Sequence, residues 1–435
     1  MLSSFFHLDH HETTVRQEVL AGLTTFLTMA YIIFVNPNIL GDAGMDKAAL
    51  ITVTALTAFL GTLLMGLWAK APLAMAPGMG LNAFFTYSLV IGQGISWQTA
   101  LGVVFISGLI FFVLTLFGIR EKIVDAIPLS LRLSIPAGIG LFITFIGFQN
   151  MGLVVNSDAT LVTLGDLNTP VILGLLGLIL ITILETKRIK GSILIGILFT
   201  TGLGMLFNVV QMPDSIISYP PSISPVALHL DILGALRWGL LGAIFSFMFV
   251  DLFDSVGTMV ACSYEANMVD ENGRIPKIGK MLESDALATI FGSLLGTSTT
   301  TTYIESASGI EDGGRTGLTA VTTALLFLLS LLFTPVIGTV PNFATAPALV
   351  VVGIFMFKNI RNINLERFEE VVPTFLTIIL MPLTYSISLG LTFGFISYII
   401  LMITTGKSRD IGPVLWIIGF LSALNLLITA MPQLL

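Results

Sequence analysis

Two acidic residues lie in stretches whose other residues suit the interior of a membrane. Asp254 sits in Phe249-Val-Asp-Leu-Phe-Asp-Ser-Val-Gly-Thr258, and Glu305 ends the polar run Thr297-Ser-Thr-Thr-Thr-Thr-Tyr-Ile-Glu305. A carboxylate at membrane depth costs roughly 2.5–3.5 kcal/mol on insertion scales. A chain that keeps two of them, beside backbone poorly suited to ordinary helix, has a use for them. The available chemistry is of two kinds: accepting hydrogen bonds from a polar solute, and carrying a proton. Asp251 stands three residues before Asp254 and so shares a helix face with it.

The elements that position these acids are membrane spans. The chain is 55% hydrophobic and 10% charged, against about 25% charged in soluble domains. Apolar runs near the ~20 residues a spanning helix needs recur at about 17–38, 48–69, 80–92, 97–118, 133–150, 169–186, 191–210, 236–263, 282–296, 303–313, 316–337, 344–360, 369–386 and 388–405, with a further apolar stretch at 411–432. The expected fold is an all-α polytopic membrane protein of 14 spans. Numbering the loops alternately places every Lys and Arg except Lys47 and Arg237 on the side of the N-terminus. By the positive-inside bias that side is cytoplasmic. The polar stretch Met1–Arg16 lacks the layout of a cleaved signal peptide. Lone Cys262 excludes an intramolecular disulfide or a thiolate metal cluster. No phosphate loop, zinc signature or nucleophile elbow is present, so no metal, cofactor or nucleic-acid partner is expected.

Two spans are abnormal. The third is preceded by Ala74-Met-Ala-Pro-Gly-Met-Gly80 and the tenth by the Ser/Thr run. Pro and Gly break helices, and β-branched Thr favours extended chain. Non-helical backbone at membrane depth requires cover by protein or water. The two interruptions fall seven spans apart, an odd number, which predicts an inverted 7+7 repeat. Paired interruptions of this kind point to a transporter site at the bilayer midplane.

Gly22-Leu-Thr-Thr-Phe-Leu-Thr-Met-Ala-Tyr-Ile-Ile-Phe-Val-Asn-Pro37, Pro77-Gly-Met-Gly-Leu-Asn-Ala-Phe-Phe85, Asp251-Leu-Phe-Asp-Ser-Val-Gly-Thr258 and the segment Ser298–Gly317 together resemble the AzgA-like purine permeases, a branch of the nucleobase–ascorbate transporter superfamily. The resemblance extends over essentially the whole chain. It implies proton-coupled uptake of hypoxanthine, guanine or adenine across the cytoplasmic membrane, and a core and a gate domain. The core would comprise residues 1–120 and 216–338, and the gate 121–215 and 339–410, followed by the apolar segment 411–435. It also suggests a homodimer through the gate domain.

The resemblance places a base-binding acid at Asp254 and a substrate-contacting or proton-carrying acid at Glu305. Thr302 and Asn82 join them as expected substrate-binding residues. Asn82 is open between contacting a purine edge and bridging the broken backbone of span three. The Thr299–Thr302 backbone is open between contacting the base and satisfying itself. Asp251 is open between proton coupling, alongside Glu305 and Asp254, and a structural hydrogen bond. Phe84, Phe85 and Phe253 are candidates to stack on a base. The uracil branch carries a histidine where this chain has Thr258, so proton duty would fall on carboxylates. Glu283 and Asp285 read as acids at the N-terminus of span nine, Glu185 as lying beside Lys187 and Arg188, and Glu311 and Asp312 as a turn next to Arg315. Two other readings compete: an anion exchanger or channel of the same fold, against which two site carboxylates argue, and an intramembrane enzyme, for which paired aspartates on one helix are wrongly placed.

Overall fold

The computed structural model describes residues 2–271, 274–363 and 366–430. It is mostly helical. Among the described residues, nine helices are long and apolar enough to cross a membrane: Val15–Asp42, Lys47–Ala69, Trp97–Leu116, Leu129–Met151, Thr169–Thr186, Leu241–Glu265, Gly317–Gly338, Asn342–Asn362 and Ile387–Thr404. Shorter apolar helices occupy Met79–Gly92, Ser192–Leu206 and Pro413–Leu427. Polar residues close several helix starts: Thr14, Asp46, Ser96, Asn168 and Ser386 each accept a hydrogen bond from the N–H three residues on, satisfying a donor that the helix leaves orphaned.

The first predicted span is an interrupted helix. It breaks at Ala30–Tyr31 into Val15–Met29 and Ile32–Asp42, and Pro37 in the second piece cannot donate to the carbonyl of Ile33. The third span is a single α-helical turn, Met79–Ala83, running into a π-helical stretch at Phe84–Gly92. The tenth is shorter still, with helix only over Ser306–Glu311. A short helix at Ile119–Ala126 and an exposed hairpin of β2 (Val154–Ser157) with β3 (Leu161–Leu164) are additions that a search for spans passes over.

The two interruptions meet. β1 (Met75–Pro77) pairs antiparallel with β4 (Thr300–Thr302), Ala76 facing Thr301. The ladder is extended by Gly78 N–H donating to the Thr299 carbonyl and Tyr303 N–H donating to the Ala74 carbonyl, both at 2.9 Å. A threonine from a neighbouring helix completes each strand. Thr62 Oγ1 donates to the Met75 carbonyl and accepts its N–H; Thr289 Oγ1 does the same for Thr300. A two-stranded ribbon deep in an apolar protein is thereby kept from leaving unpaired backbone groups, each of which would cost several kcal/mol in lipid.

Packing is close where small residues face each other. A Cβ on Gly317 would meet the carbonyl oxygen of Gly66 at 2.0 Å, so the Lys47–Ala69 and Gly317–Ser330 helices approach at backbone contact, the usual device where no hydrophobic drive brings helices together in lipid. A second group of helices, Leu129–Met151, Asn342–Phe357, Phe368–Thr384 and Ile387–Thr404, packs largely upon itself.

Candidate functional site

A cavity of about 520 Å³ lies against the β1–β4 ribbon, within the size range of small-molecule sites. One wall comes from Tyr31, from Met79 and Gly80, from one face of the Leu241–Glu265 helix between Phe253 and Ala261, and from Thr301–Glu305. The facing wall comes from Leu129–Pro136 and Val352–Asn359, which belong to the second packed group. Pro136 cannot donate to the Arg132 carbonyl, so this wall is helix with a gap in its hydrogen bonding.

Four of the sequence candidates share this cavity: Asp254, Glu305, Thr302 and Phe253. Asp254 lies beside the Thr301 side chain. Thr302 Oγ1 is buried with no protein partner. Glu305 is the residue that precedes the Ser306–Glu311 helix, and its Oε1 accepts from the Tyr31 hydroxyl at 2.5 Å. Tyr31 reaches it because the first span breaks at that residue. Tyr303 lines the cavity too, but its hydroxyl is spent on the Pro77 carbonyl, 2.6 Å away. Phe253 and Thr258 are on the wall. Phe84 and Phe85 are not; both are fully buried in the core, Phe84 against Phe247.

Asn82 lies outside the lining. It is fully buried, accepts from the Ser298 hydroxyl and so ties the helix after β1 to the residues before β4. Its Nδ2 has no protein partner. The Thr299–Thr302 backbone is largely committed to the ribbon, which leaves side chains as the groups it can offer a solute.

Asp251 also lies outside the lining, in a buried network. Ser255 Oγ stands between two carboxylates, 3.3 Å from Asp251 Oδ1 and 2.7 Å from Asp285 Oδ1. Thr289 Oγ1 is 3.5 Å from Asp251 Oδ2, and it is the same hydroxyl that bonds Thr300. Asp285 forms an ion pair with Arg120 at 3.1 Å, with both side chains sealed from solvent. The guanidinium also donates to the Leu282 carbonyl at 3.0 Å and lies over the Phe111 ring. This corrects the reading of Asp285 as a helix-terminal acid: it is about two turns inside the Ile278–Leu295 helix and pairs with a cation from far along the chain. The other peripheral acids have partners that spacing did not show: Glu283 accepts from Trp68 Nε1, Glu185 from the Ser192 hydroxyl, and Asp312, in a turn shortly before Arg315, from Lys190 and Thr24.

A family model described as Permease family matches residues 16–393. The chain is 45% identical to the adenine permease AdeQ of Escherichia coli K12, covering 98% of this chain and 96% of that protein. It is also 45% identical to the guanine/hypoxanthine permease PbuG of Bacillus subtilis 168, covering 95% and 97%. In fold it resembles the transmembrane domain of a cyanobacterial bicarbonate transporter, BicA, with a TM-score of 0.67, 16% identity, and coverage of 86% of this chain and 97% of that one. It also resembles the murine anion transporter Slc26a9 in its inward-facing state, with a TM-score of 0.63, 9% identity, and coverage of 90% and 69%. The chain is a multi-pass membrane protein and belongs to the Permease family.

Proposed function

We propose that this permease imports purine bases with protons across the cytoplasmic membrane, its N-terminus inside. The observation that carries the reading is the convergence of Asp254, Glu305 and the unpartnered Thr302 hydroxyl on one cavity of suitable size beside a broken-helix ribbon. A purine base is flat, neutral and rimmed with N–H donors and ring acceptors. A carboxylate at Asp254 accepts two adjacent N–H groups of such an edge, and Thr302 can donate or accept beside it. Phe253 supplies an aromatic face on the same wall. Relatives that bear the names of adenine and of guanine/hypoxanthine permeases support a purine cargo.

Glu305 is the coupling acid in this reading. Tyr31 holds one of its oxygens, leaving the other for the cavity or a proton. Coupling requires that base binding and protonation alter each other's affinity reciprocally. Asp251, behind the wall, would keep the β4 strand in place through Thr289. Asn82 would do the same for the helix after β1. These assignments sit within a 14-span, 7+7 inverted-repeat architecture, supported by the paired ribbon and by the matching Thr62 and Thr289 contacts. The core would be 1–120 and 216–338, the gate 121–215 and 339–410, with 411–435 beyond. The cavity lies between the two, with Arg132 and Asn359 on its wall; both are on the side assigned as cytoplasmic, so the conformation is read as inward-facing. A homodimer through the gate is part of the same proposal.

Anion exchange is prompted by the fold likeness to BicA and Slc26a9. Two carboxylates in the cavity disfavour it, since an anion would meet like charge.

The test is uptake of radiolabelled hypoxanthine by cells without their own purine carriers, with unlabelled guanine, adenine, xanthine or uracil as competitor and with or without a protonophore. Protonophore-sensitive uptake blocked by guanine or adenine is expected. Uptake indifferent to every base would overturn the reading.

A further inference from the structure

On the outer surface, away from the substrate cavity, the Lys47–Ala69 and Ile278–Leu295 helices enclose an apolar groove of about 420 Å³. Its floor is Leu60, Leu63, Leu64, Leu67 and Trp68 from the first helix, with Phe291 from the second. The leucines recur at helical spacing and form one stripe. From Leu60 to Trp68 the stripe runs roughly 12 Å along the axis at 1.5 Å per residue. Leu60, Leu67, Trp68 and Phe291 are all exposed, as befits side chains in contact with hydrocarbon. A concave groove is nevertheless a stronger feature than a lipid-facing surface alone.

The Trp68 end of the groove is cationic. Lys280 Nζ lies 5.5 Å from the centre of the Trp68 ring. Lys277 Nζ donates to the Lys70 carbonyl at 3.4 Å, and Lys70 Nζ donates to the Phe5 carbonyl at 3.1 Å. Among the described residues, none of these three ammonium groups is within ion-pair distance of a carboxylate. Glu283, three residues after Lys280 on the same helix, is committed to Trp68 Nε1 at 2.9 Å. Lys277 is held below the usual lysine range, by burial first and then by the charges of Lys70 and Lys280. A cluster of cations that repel one another gains from an anion in its midst.

We propose that this groove binds an anionic phospholipid, one acyl chain lying along the leucine stripe and the phosphate resting among Lys70, Lys277 and Lys280. Trp68 stands at the junction of chain and headgroup, where the amphipathic indole is favoured. Charge complementarity selects the occupant: a zwitterionic lipid offers the same chain but no net charge. Each lysine near a lipid anion contributes about fivefold in affinity, so three give on the order of 100-fold preference for anionic over zwitterionic lipid.

The experiment is native mass spectrometry of the full-length protein in detergent with phosphatidylglycerol or phosphatidylcholine, at low and high salt. Phosphatidylglycerol should be retained on the order of 100-fold better, less so at high salt. Lys70→Gln, Lys277→Gln and Lys280→Gln together should abolish the preference. Leu64→Trp, which fills the groove and leaves the lysines intact, should lose the lipid as well. If the triple variant fails to fold, Lys280→Gln alone should weaken retention about fivefold. Equal retention of both lipids, or an unchanged preference in the lysine variants, would overturn the assignment. So would thermal stabilisation by glycerol phosphate equal to that by phosphatidylglycerol, since the groove would then play no part.

Discussion

The Arg120–Asp285 pair gives a prediction whose size follows from the structure. Arg120→Met keeps an unbranched, largely apolar stem in place of the side chain and removes its charge. Asp285 is then left with no cation, sealed from solvent, and sharing Ser255 with a second carboxylate, Asp251. Removing one partner of a buried pair costs about 3–5 kcal/mol. The lost donation to the Leu282 carbonyl adds about 1 kcal/mol. A total near 5 kcal/mol is comparable to the whole stability of many folded domains. The double variant Arg120→Met with Asp285→Leu removes both charges together. Asp251 keeps its contact with Ser255 and no longer faces a second, unpaired carboxylate, so much of the loss should be recovered. The assay is reversible unfolding in mixed micelles with increasing SDS, applied to wild type, both single variants and the double variant. Coupling of roughly 2–3 kcal/mol between the sites is expected. A single variant that loses less than about 1 kcal/mol, or single losses that simply add, would refute the view that these charges depend on each other.

Asp254→Ala should remove two charge-assisted hydrogen bonds to the base, at about 1.5–3 kcal/mol each, and so weaken binding by roughly 10²–10⁴-fold; isothermal titration with hypoxanthine reads this, and affinity within threefold of wild type would reject the role. Glu305→Gln should retain exchange of base across the membrane but lose accumulation driven by a pH gradient, measured in proteoliposomes; undiminished uphill uptake would remove Glu305 from the coupling step. Tyr31→Phe deletes the hydroxyl that holds Glu305 and should change the pH profile of uptake more than the KM for base; a profile identical to wild type would mean the contact is idle. Gly317→Ala drives a Cβ to 2.0 Å from the Gly66 carbonyl, where no side chain can yield, and should cost more than 2 kcal/mol in the same SDS titration, as overpacking does at its upper range; wild-type stability would show that the two helices separate freely.

What was legible in the sequence was local. The Ala74–Gly80 and Thr297–Thr302 segments announce extended chain because their residues cannot or will not continue a helix, and the structure has strand at Met75–Pro77 and Thr300–Thr302, with helix resuming at Met79. That they pair with each other is not local information: Met75 and Thr302 are brought together by the whole fold. The same limit hid the partner of Asp285. Its neighbours in sequence resemble the opening of a helix, whereas Arg120 arrives from a segment that reads as a loop cation. The break at Tyr31 had a weaker signal, a tyrosine and Asn36-Pro37 within an apolar run, and reading 17–38 as one span concealed it.

The most instructive case is the pair Asp251 and Asp254. Three residues on a helix turn the side chain through about 300°, which leaves the two directions about 60° apart. Spacing alone therefore places them on one face, and that face does carry both. Yet 60° suffices here to separate two environments. Asp254 lines the cavity beside Thr301 and Glu305. Asp251 turns behind the wall toward Ser255, Thr289 and the Arg120–Asp285 pair. Substitutions at the two positions should consequently fail in different ways. Asp254→Asn should leave the unfolding midpoint near wild type while removing base affinity. Asp251→Asn should shift the midpoint and lower uptake in proportion to the protein lost, with KM for base unchanged in what remains. A variant at Asp251 that folds fully yet binds base far more weakly would mean that the wall between the two sites opens during transport, and that both carboxylates belong to one site after all.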